Sequence, residues 1–179
     1  QYNRNTLLRE DPSVDGLKTG HTEEAGYCLV ASALRGDMRL IAVVMGTAST
    51  KARKNDAASL FNYGFNFYQT KTVFEPMTEL AKPRIWKGQQ DYVPVGVLDK
   101  TVLTLQHGKH DKLVTSVAIN EELVAPIAVG DPVGTVTVSL DDKAVLQTPV
   151  VALVAVESGG FFARLWDSIL MLIASLFGP

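Results

Sequence analysis

Cysteine is almost absent from this 179-residue sequence, and so is any excess of charge. The single cysteine, Cys28, excludes an intrachain disulfide. A formal net charge of −2 gives no basic field of the kind that attracts nucleic acid. The chain starts at Gln1 with neither methionine nor a signal-like apolar segment, so we expect it to begin inside a longer protein.

Histidine is scarce as well, which limits the metal sites that the chain could build. Only His21, His107 and His110 are present, and no second cysteine can complete a set of ligands. We interpret residues 106–111 as a polar hairpin loop, with metal ligation as the alternative. We therefore predict no metal and no cofactor.

The residues that are present suffice for a folded core, since 46% of the chain is hydrophobic. The pattern changes twice along the chain. Residues 1–69 combine strands with one helix, residues 70–156 read as a small all-β domain, and residues 157–179 form a joint and a terminal helix. The predicted fold class is therefore α+β.

The first segment is predicted to hold three strands. Residues 14–20 form a short strand, and the apolar runs 27–34 and 38–45 are joined by a three-residue hairpin signal, Arg35-Gly36-Asp37. Both runs are apolar at successive positions, so we expect strands that are covered on both faces. Cys28 is then expected to be a small core residue.

A helix is predicted to follow, with Ser49 or Thr50 as its N-cap. Its apolar residues are spaced by three and four positions, which places them on one helical face. They are Ala57, Leu60, Phe61, Gly64, Phe65 and Tyr68. This stripe indicates core packing rather than a cofactor site.

The second segment is rich in β-branched runs separated by turn residues. Alternation of apolar and hydroxyl residues over 135–140 indicates a strand with one wet face. We predict a sandwich-like or barrel-like domain, with strands at residues 84–86, 92–98, 101–105, 113–119, 133–140 and 145–156.

The third segment begins with a glycine-rich joint, residues 157–160, which we expect to be flexible, and it continues as an amphipathic helix over 161–177. Its polar residues Arg164, Asp167, Ser168 and Ser175 form one narrow stripe, which is typical of a helix lying in a membrane interface. A full span is disfavoured because 17 residues reach only about 25 Å against a hydrocarbon core of ~30 Å.

The alternative is a helix packed on its own domain or on a second copy, although the double glycine argues against tight docking. The predicted anchor residues share the wide apolar face of this helix. They are Phe161, Phe162, Leu165, Trp166, Ile169, Leu170, Leu172, Ile173, Leu176 and Phe177.

The tripeptide Lys18-Thr19-Gly20 carries the most suggestive chemistry. The lysine is a cation, the threonine hydroxyl donates and accepts, and the glycine lets another backbone approach closely. Together they could grip a carboxylate or an extended peptide. The alternative is a solvated strand end, because a motif this short is common.

The chain resembles the low-molecular-mass penicillin-binding proteins, the serine D-alanyl-D-alanine carboxypeptidases. The likeness rests on VDGLKTGH at residues 14–21, AGY at 25–27, MRLIAVVMG at 38–46, NYGF at 62–65 and GGFF at 159–162. It implies that the first segment is the C-terminal part of a serine β-lactamase or penicillin-binding-protein-like α/β domain. An all-β domain and an amphipathic tail would follow.

The resemblance also implies roles for individual residues. Lys18 of the K-T-G motif would set a positive field at the nucleophile, and Thr19 would bind the substrate's terminal carboxylate. The backbone N–H of His21, after Gly20, would donate to the oxyanion while its imidazole lines the site.

Two further cations match positions where the family has arginines beside the carboxylate pocket. They are Arg4 and Arg53. For each, ordinary surface charge is the alternative.

One departure from the family pattern matters. No serine in the sequence has lysine three residues later, and neither S-x-N nor Y-x-N occurs. In the family these motifs precede K-T-G, so we expect the missing N-terminal portion to carry them. The 179 residues alone are then expected to be inactive.

The implied full-length activity is removal of the terminal D-alanine from peptidoglycan stem pentapeptides, with β-lactams trapping the same serine. The implied location is the periplasm, peripheral on the outer face of the bacterial inner membrane. The alternative is a non-catalytic, membrane-anchored β module that positions or partners a cell-wall enzyme.

Overall fold

The computed structural model describes residues 2–176, with side-chain environments up to residue 173. The fold mixes α-helices and β-strands, and strands predominate. In chain order the elements are α1 (Leu7–Glu10), β1 (Val14–Thr22), β2 (Gly26–Arg35), β3 (Met38–Thr47), α2 (Thr50–Phe67), β4 (Tyr68–Phe74), β5 (Thr78–Ala81), β6 (Ile85–Trp86), β7 (Val95–Val97), β8 (Thr101–Gln106), a 3-10 turn (His110–Lys112), β9 (Leu113–Ile119), β10 (Leu123–Val124), β11 (Pro132–Leu140), β12 (Lys143–Ala152) and α3 (Phe161–Leu176).

The chain divides into two compact units. The first contains the described residues up to Lys71 together with Thr104–His110, and the second contains the rest. Residues 106–111 are not the hairpin loop expected from the sequence, because β8 pairs with β4 whereas β9 pairs with β11. The N–H of His107 instead donates to the carbonyl oxygen of Phe67 at 3.0 Å, within the first unit.

In the first unit, α2 packs on the antiparallel sheet β1-β2-β3. The helix starts where predicted, since the hydroxyl of Ser49 accepts the N–H of Ala52 at 3.1 Å. Alternate residues of each strand point towards the helix, and they form the core with the buried face of α2. Its buried members are Leu7, Val14, Leu29, Ala31, Ala33, Ala42, Val44, Ala57 and Phe61.

Three expectations for this unit were wrong. The outer face of β3 is exposed rather than covered, with Ile41, Val43 and Met45 pointing away from α2. Leu60 is 48% exposed because it lies off the buried face of its helix. Cys28 is half-buried rather than part of the core, and its thiol lies 3.4 Å from the carbonyl oxygen of Ala25.

The second unit is built on the five-stranded sheet β5-β7-β12-β11-β9, beside which β10 and β6 form a parallel pair. Strand β9 has the predicted bounds. The predicted alternation of β11 is confirmed at Val136 and Val138, which are fully buried, whereas Leu140 is half-buried like the hydroxyl residues of the opposite face. Gly96 is required for close strand packing, because a Cβ there would overlap the carbonyl oxygen of Thr78.

The helix α3 leads out of the second unit along a hydrogen-bonded path. The N–H of Gly159 donates to the carbonyl oxygen of Lys87 at 2.8 Å, and that of Gln89 donates to Glu157 at 2.9 Å. The joint is therefore tied to the Lys87–Gln89 turn, whereas the sequence indicated a flexible link. Among the described residues, no helix is both long enough and apolar enough to cross a membrane.

The apolar face of α3 is exposed, as expected for most of the predicted anchor residues. Those more than 40% exposed are Phe161, Phe162, Leu165, Trp166, Ile169, Leu172 and Ile173. Leu170 is half-buried instead. Of the two remaining residues, Phe177 lies outside the described residues, as does the side chain of Leu176.

Candidate functional site

A cavity of about 650 Å³ in the first unit brings the candidate residues together. All six residues singled out in the sequence line it: Arg4, Lys18, Thr19, Gly20, His21 and Arg53. Four residues that the sequence did not suggest complete the lining, namely Tyr2, Asn3, Tyr27 and Thr50. Segments far apart in the chain therefore converge on one site.

The N-terminal segment is held along β1 by asparagine side chains. Asn3 donates from Nδ2 to the carbonyl oxygen of Leu17 at 2.8 Å, and Asn5 donates to that of Gly16 at 3.1 Å. Asn5 is only 2% exposed, so this contact is part of the packed interior. The two asparagines flank Arg4 and thereby place it at the cavity. The N-x-N pattern was the signal available in the sequence.

The lysine and threonine of the K-T-G motif differ sharply in exposure. Lys18 is exposed, and its Nζ donates to the carbonyl oxygen of Thr19 at 2.8 Å. Thr19 is 9% exposed, so its side chain is held by packing. Strand β1 is an edge of its sheet within the described chain, which leaves one side open to an extended ligand.

A side-chain hydrogen bond also holds β1 to its sheet at Asp15, three residues before Lys18. Arg39 of β3 reaches across β2 and donates to the Asp15 carboxylate at 2.8 Å and to the hydroxyl of Ser32 at 2.5 Å. Hydrogen bonds from Arg39, and then from Ser32, hold the pKa of Asp15 below its usual value. All three strands are thereby linked beside the site.

His21 is oriented by two contacts. Its Nδ1 lies 3.1 Å from the carbonyl oxygen of Gly26, which can only accept, so the proton resides on Nδ1. Its ring stacks on that of Tyr27, with centroids 3.9 Å apart and planes 15° apart. In the neutral ring Nε2 is then an acceptor. Tyr27 was missed because its register opposite His21 becomes visible only in the folded sheet.

Arg53 is buried beneath the motif, with only 5% of its surface exposed. Its Nη1 lies 3.1 Å from the carbonyl oxygen of Gly20 and 3.4 Å from that of Cys28, which are paired residues of β1 and β2. Its guanidinium also lies 5.6 Å from the ring centroid of Tyr27. The residue therefore joins α2 to the end of the K-T-G strand as well as lining the cavity.

The electrostatic character of the cavity is one-sided. Arg4, Lys18 and Arg53 contribute three cations, and none of the ten described lining residues is acidic. Such a site favours an anion, and arginine and lysine donors beside a threonine hydroxyl suit a carboxylate. Across the described part of the chain, no three metal-binding side chains form a cluster.

Two protein-family models match the chain. The family model for the C-terminal domain of penicillin-binding protein 5 matches residues 68–158, just over half of the chain. The model for D-alanyl-D-alanine carboxypeptidase matches residues 1–49, which include most of the cavity lining. The chain belongs to the penicillin-binding protein 5 C-terminal domain family.

Individual relatives are named D-alanyl-D-alanine carboxypeptidases. The D-alanyl-D-alanine carboxypeptidase DacC of Escherichia coli strain K12 is 40% identical over 180 residues, covering 99% of this chain and 45% of the relative. DacF of Bacillus subtilis strain 168 is 32% identical over 164 residues, covering 91% of this chain and 42% of the relative.

A solved structure also matches in fold. Penicillin binding protein 5 from Haemophilus influenzae aligns with a TM-score of 0.78 at 35% identity, covering 88% of this chain and 47% of that one. The chain thus spans about half the length of the curated relatives it matches.

Proposed function

We propose that the whole protein is a serine-type D-alanyl-D-alanine carboxypeptidase that removes the terminal D-alanine from peptidoglycan stem pentapeptides and binds penicillin. The observation that carries the proposal is the cationic cavity around Lys18-Thr19-Gly20, which has no acidic residue among its described lining. A peptide ending in a free carboxylate is the complementary ligand. Family membership supplies the reaction class.

The substrate is proposed to bind as an added strand. Its extended backbone would pair with the open edge of β1, and its terminal carboxylate would meet the Thr19 hydroxyl and the Arg4 guanidinium. Lys18 would leave the carbonyl oxygen of Thr19 and turn its charge towards the reacting serine. The backbone N–H of His21 would stabilise the oxyanion.

Arg53 is proposed to act mainly on the strand. Its guanidinium already donates to the carbonyl oxygen of Gly20. This hydrogen bond would hold the end of β1 in position against the substrate. The positive charge of Arg53 would still contribute to the field that attracts the carboxylate.

The serine nucleophile and its lysine are proposed to lie in an N-terminal portion that carries S-x-x-K and S-x-N. Neither motif occurs in the 179 residues. In this layout residues 1–69 are the C-terminal part of the catalytic domain, residues 70–156 are the all-β domain and residues 157–179 are the joint and membrane helix.

Labelling of the full-length protein with a fluorescent penicillin tests the reaction class. We expect covalent labelling of the full-length protein and none of the 179-residue chain. A full-length protein with both upstream motifs that takes up no label would rule out the proposal.

Arginine substitutions test the carboxylate site. Arg4→Ala should lower kcat/KM for a D-Ala-D-Ala peptide by roughly ten- to a hundredfold, because a hydrogen bond to a charged group contributes about 1.5–3 kcal/mol. Arg9→Ala is the matched control, since Arg9 is exposed in the same segment and does not line the cavity. An equal loss of kcat/KM in both variants would show that Arg4 does not bind the substrate carboxylate.

We propose in addition that α3 lies in the membrane interface and holds the protein on the periplasmic face of the bacterial inner membrane. The exposed apolar face from Phe161 to Ile173 supports this, since such a face is costly to leave in water. Vesicle flotation tests the idea. Deletion of residues 161–179 should abolish flotation, and unchanged flotation would contradict it.

A further inference from the structure

Asp167 is an acidic residue on the polar stripe of α3, and its side chain is the most enclosed among the described side chains of that stripe. Its side chain is only 17% exposed. One carboxylate oxygen accepts the backbone N–H of Lys87 at 2.5 Å, and the other lies 3.4 Å from Nη2 of Arg84. Both partners lie about eighty positions earlier in the chain.

The segment Arg84–Gln89, which contains both partners of Asp167, is ordered by other contacts as well. Arg84 stacks on the ring of Trp86 with its guanidinium 3.8 Å from the ring centroid. The carbonyl oxygen of Trp86 accepts the N–H of Ala125 at 2.9 Å. Lys87 adopts a left-handed backbone with a φ of 58°, which a non-glycine residue adopts only when its surroundings require it.

The helix is thus attached to this segment at two places. The first is the joint, where Gly159 approaches so closely that a Cβ there would lie 2.6 Å from the carbonyl oxygen of Gly88. The second is Asp167, about two helical turns further on. One attachment just before the helix and a second within it together constrain its direction and its rotation.

We propose that Asp167 is a positioning residue that latches α3 onto the segment Arg84–Gln89, which comprises β6 and the turn after it, so that the helix presents its apolar face in one fixed orientation before any lipid is bound. The helix is then a rigid extension of the second unit rather than a tethered anchor. What the apolar face meets rests on the membrane function proposed above. The latch itself needs no lipid.

Hydrogen exchange of the lipid-free, full-length protein tests the latch. Asp167→Ala removes the acceptor, so the Lys87 amide and the helical amides of residues 164–173 should exchange about tenfold faster. Asp167→Asn should give a smaller increase, because its amide oxygen can still accept the Lys87 N–H. Asp142→Asn is the control, since it removes the same charge from an exposed turn of the second unit.

Unchanged exchange at Lys87 and in α3 after Asp167→Ala would overturn the proposal. Faster exchange in α3 with an unchanged Lys87 amide would also overturn it, because the carboxylate would then act within its helix alone. Flotation separates the two proposals. If deletion of residues 161–179 leaves flotation unchanged while Asp167→Ala still releases Lys87, the membrane function fails and the latch stands.

Discussion

The helices α2 and α3 have opposite compositions and opposite exposures. Helix α2 contains many polar residues, yet four of its residues are buried against the sheet of the first unit, Arg53 among them. Helix α3 is far more apolar, yet most of its large side chains are exposed. Phe61 of α2 is 2% exposed, whereas Phe162 of α3 is 82% exposed.

The comparison shows that the position of a helix can be determined either by apolar packing or by hydrogen bonds. Apolar contacts on one face place α2. Polar contacts place α3, through Asp167 and the hydrogen bonds of the joint, and they keep its apolar face available. The first arrangement stabilises the fold, while the second leaves apolar surface exposed.

The largest expected effect is that of Phe61→Ala. Removing a fully enclosed aromatic side chain from the core beneath the K-T-G strand should lower the free energy of unfolding by about 3–5 kcal/mol. Chemical denaturation of the purified chain measures this. A loss below about 1 kcal/mol would mean that α2 is not held by its apolar face.

A smaller effect is expected for the start of α2. Ser49→Ala removes the hydroxyl that accepts the N–H of Ala52, and it should cost about 1 kcal/mol. Ser49→Asn, which keeps a capping oxygen, should restore most of that loss. Equal stability of the alanine variant and the wild-type protein would show that the cap contributes nothing.

The start of α3 offers the reverse experiment. The carbonyl oxygen of Gly160 accepts the first helical N–H, from Arg164, and a Cβ at Gly160 would meet no atom within 4 Å. Gly160→Ser should therefore stabilise α3 by a few tenths of a kcal/mol through a new cap. Slower hydrogen exchange in the first turn of α3 is the expected result, and faster exchange would contradict it.

The smallest effect on folding is expected for Phe162→Ala, the exposed counterpart of Phe61→Ala. Without lipid, the free energy of unfolding should change by less than about 0.5 kcal/mol, because the ring is already in water. Flotation with vesicles should nevertheless weaken. A large loss of lipid-free stability would show that the ring is covered in solution.

Much of the fold could be predicted from local pattern. The strand at residues 113–119, the alternation around Val136 and the cap at Ser49 follow from spacing and turn chemistry alone. Strand β4 was missed because its sequence, YQTKTVF, is largely polar. The exposed face of β3 was missed because an apolar run does not reveal which of its faces is covered.

Six of the ten described residues that line the candidate site could be predicted, but their contacts could not. The six proposed residues line one cavity, but the hydrogen bond from Arg53 to the carbonyl oxygen of Gly20 joins positions 33 residues apart. The contact between Asp167 and Lys87 joins positions 80 residues apart. A side chain that binds a distant backbone group leaves no local pattern in the sequence.

The placement of the two tryptophans gives the protein its own optical reporter. Trp86 lies under the Arg84 guanidinium in the segment that receives α3, whereas Trp166 is 63% exposed on the apolar face of that helix. If α3 enters a membrane interface, we expect emission from Trp166 to shift to shorter wavelength because its indole leaves water, and we expect emission from Trp86 to change little because its ring is covered by Arg84. Emission spectra recorded before and after vesicles are added would therefore report whether the apolar face of α3 leaves water, without any attached dye.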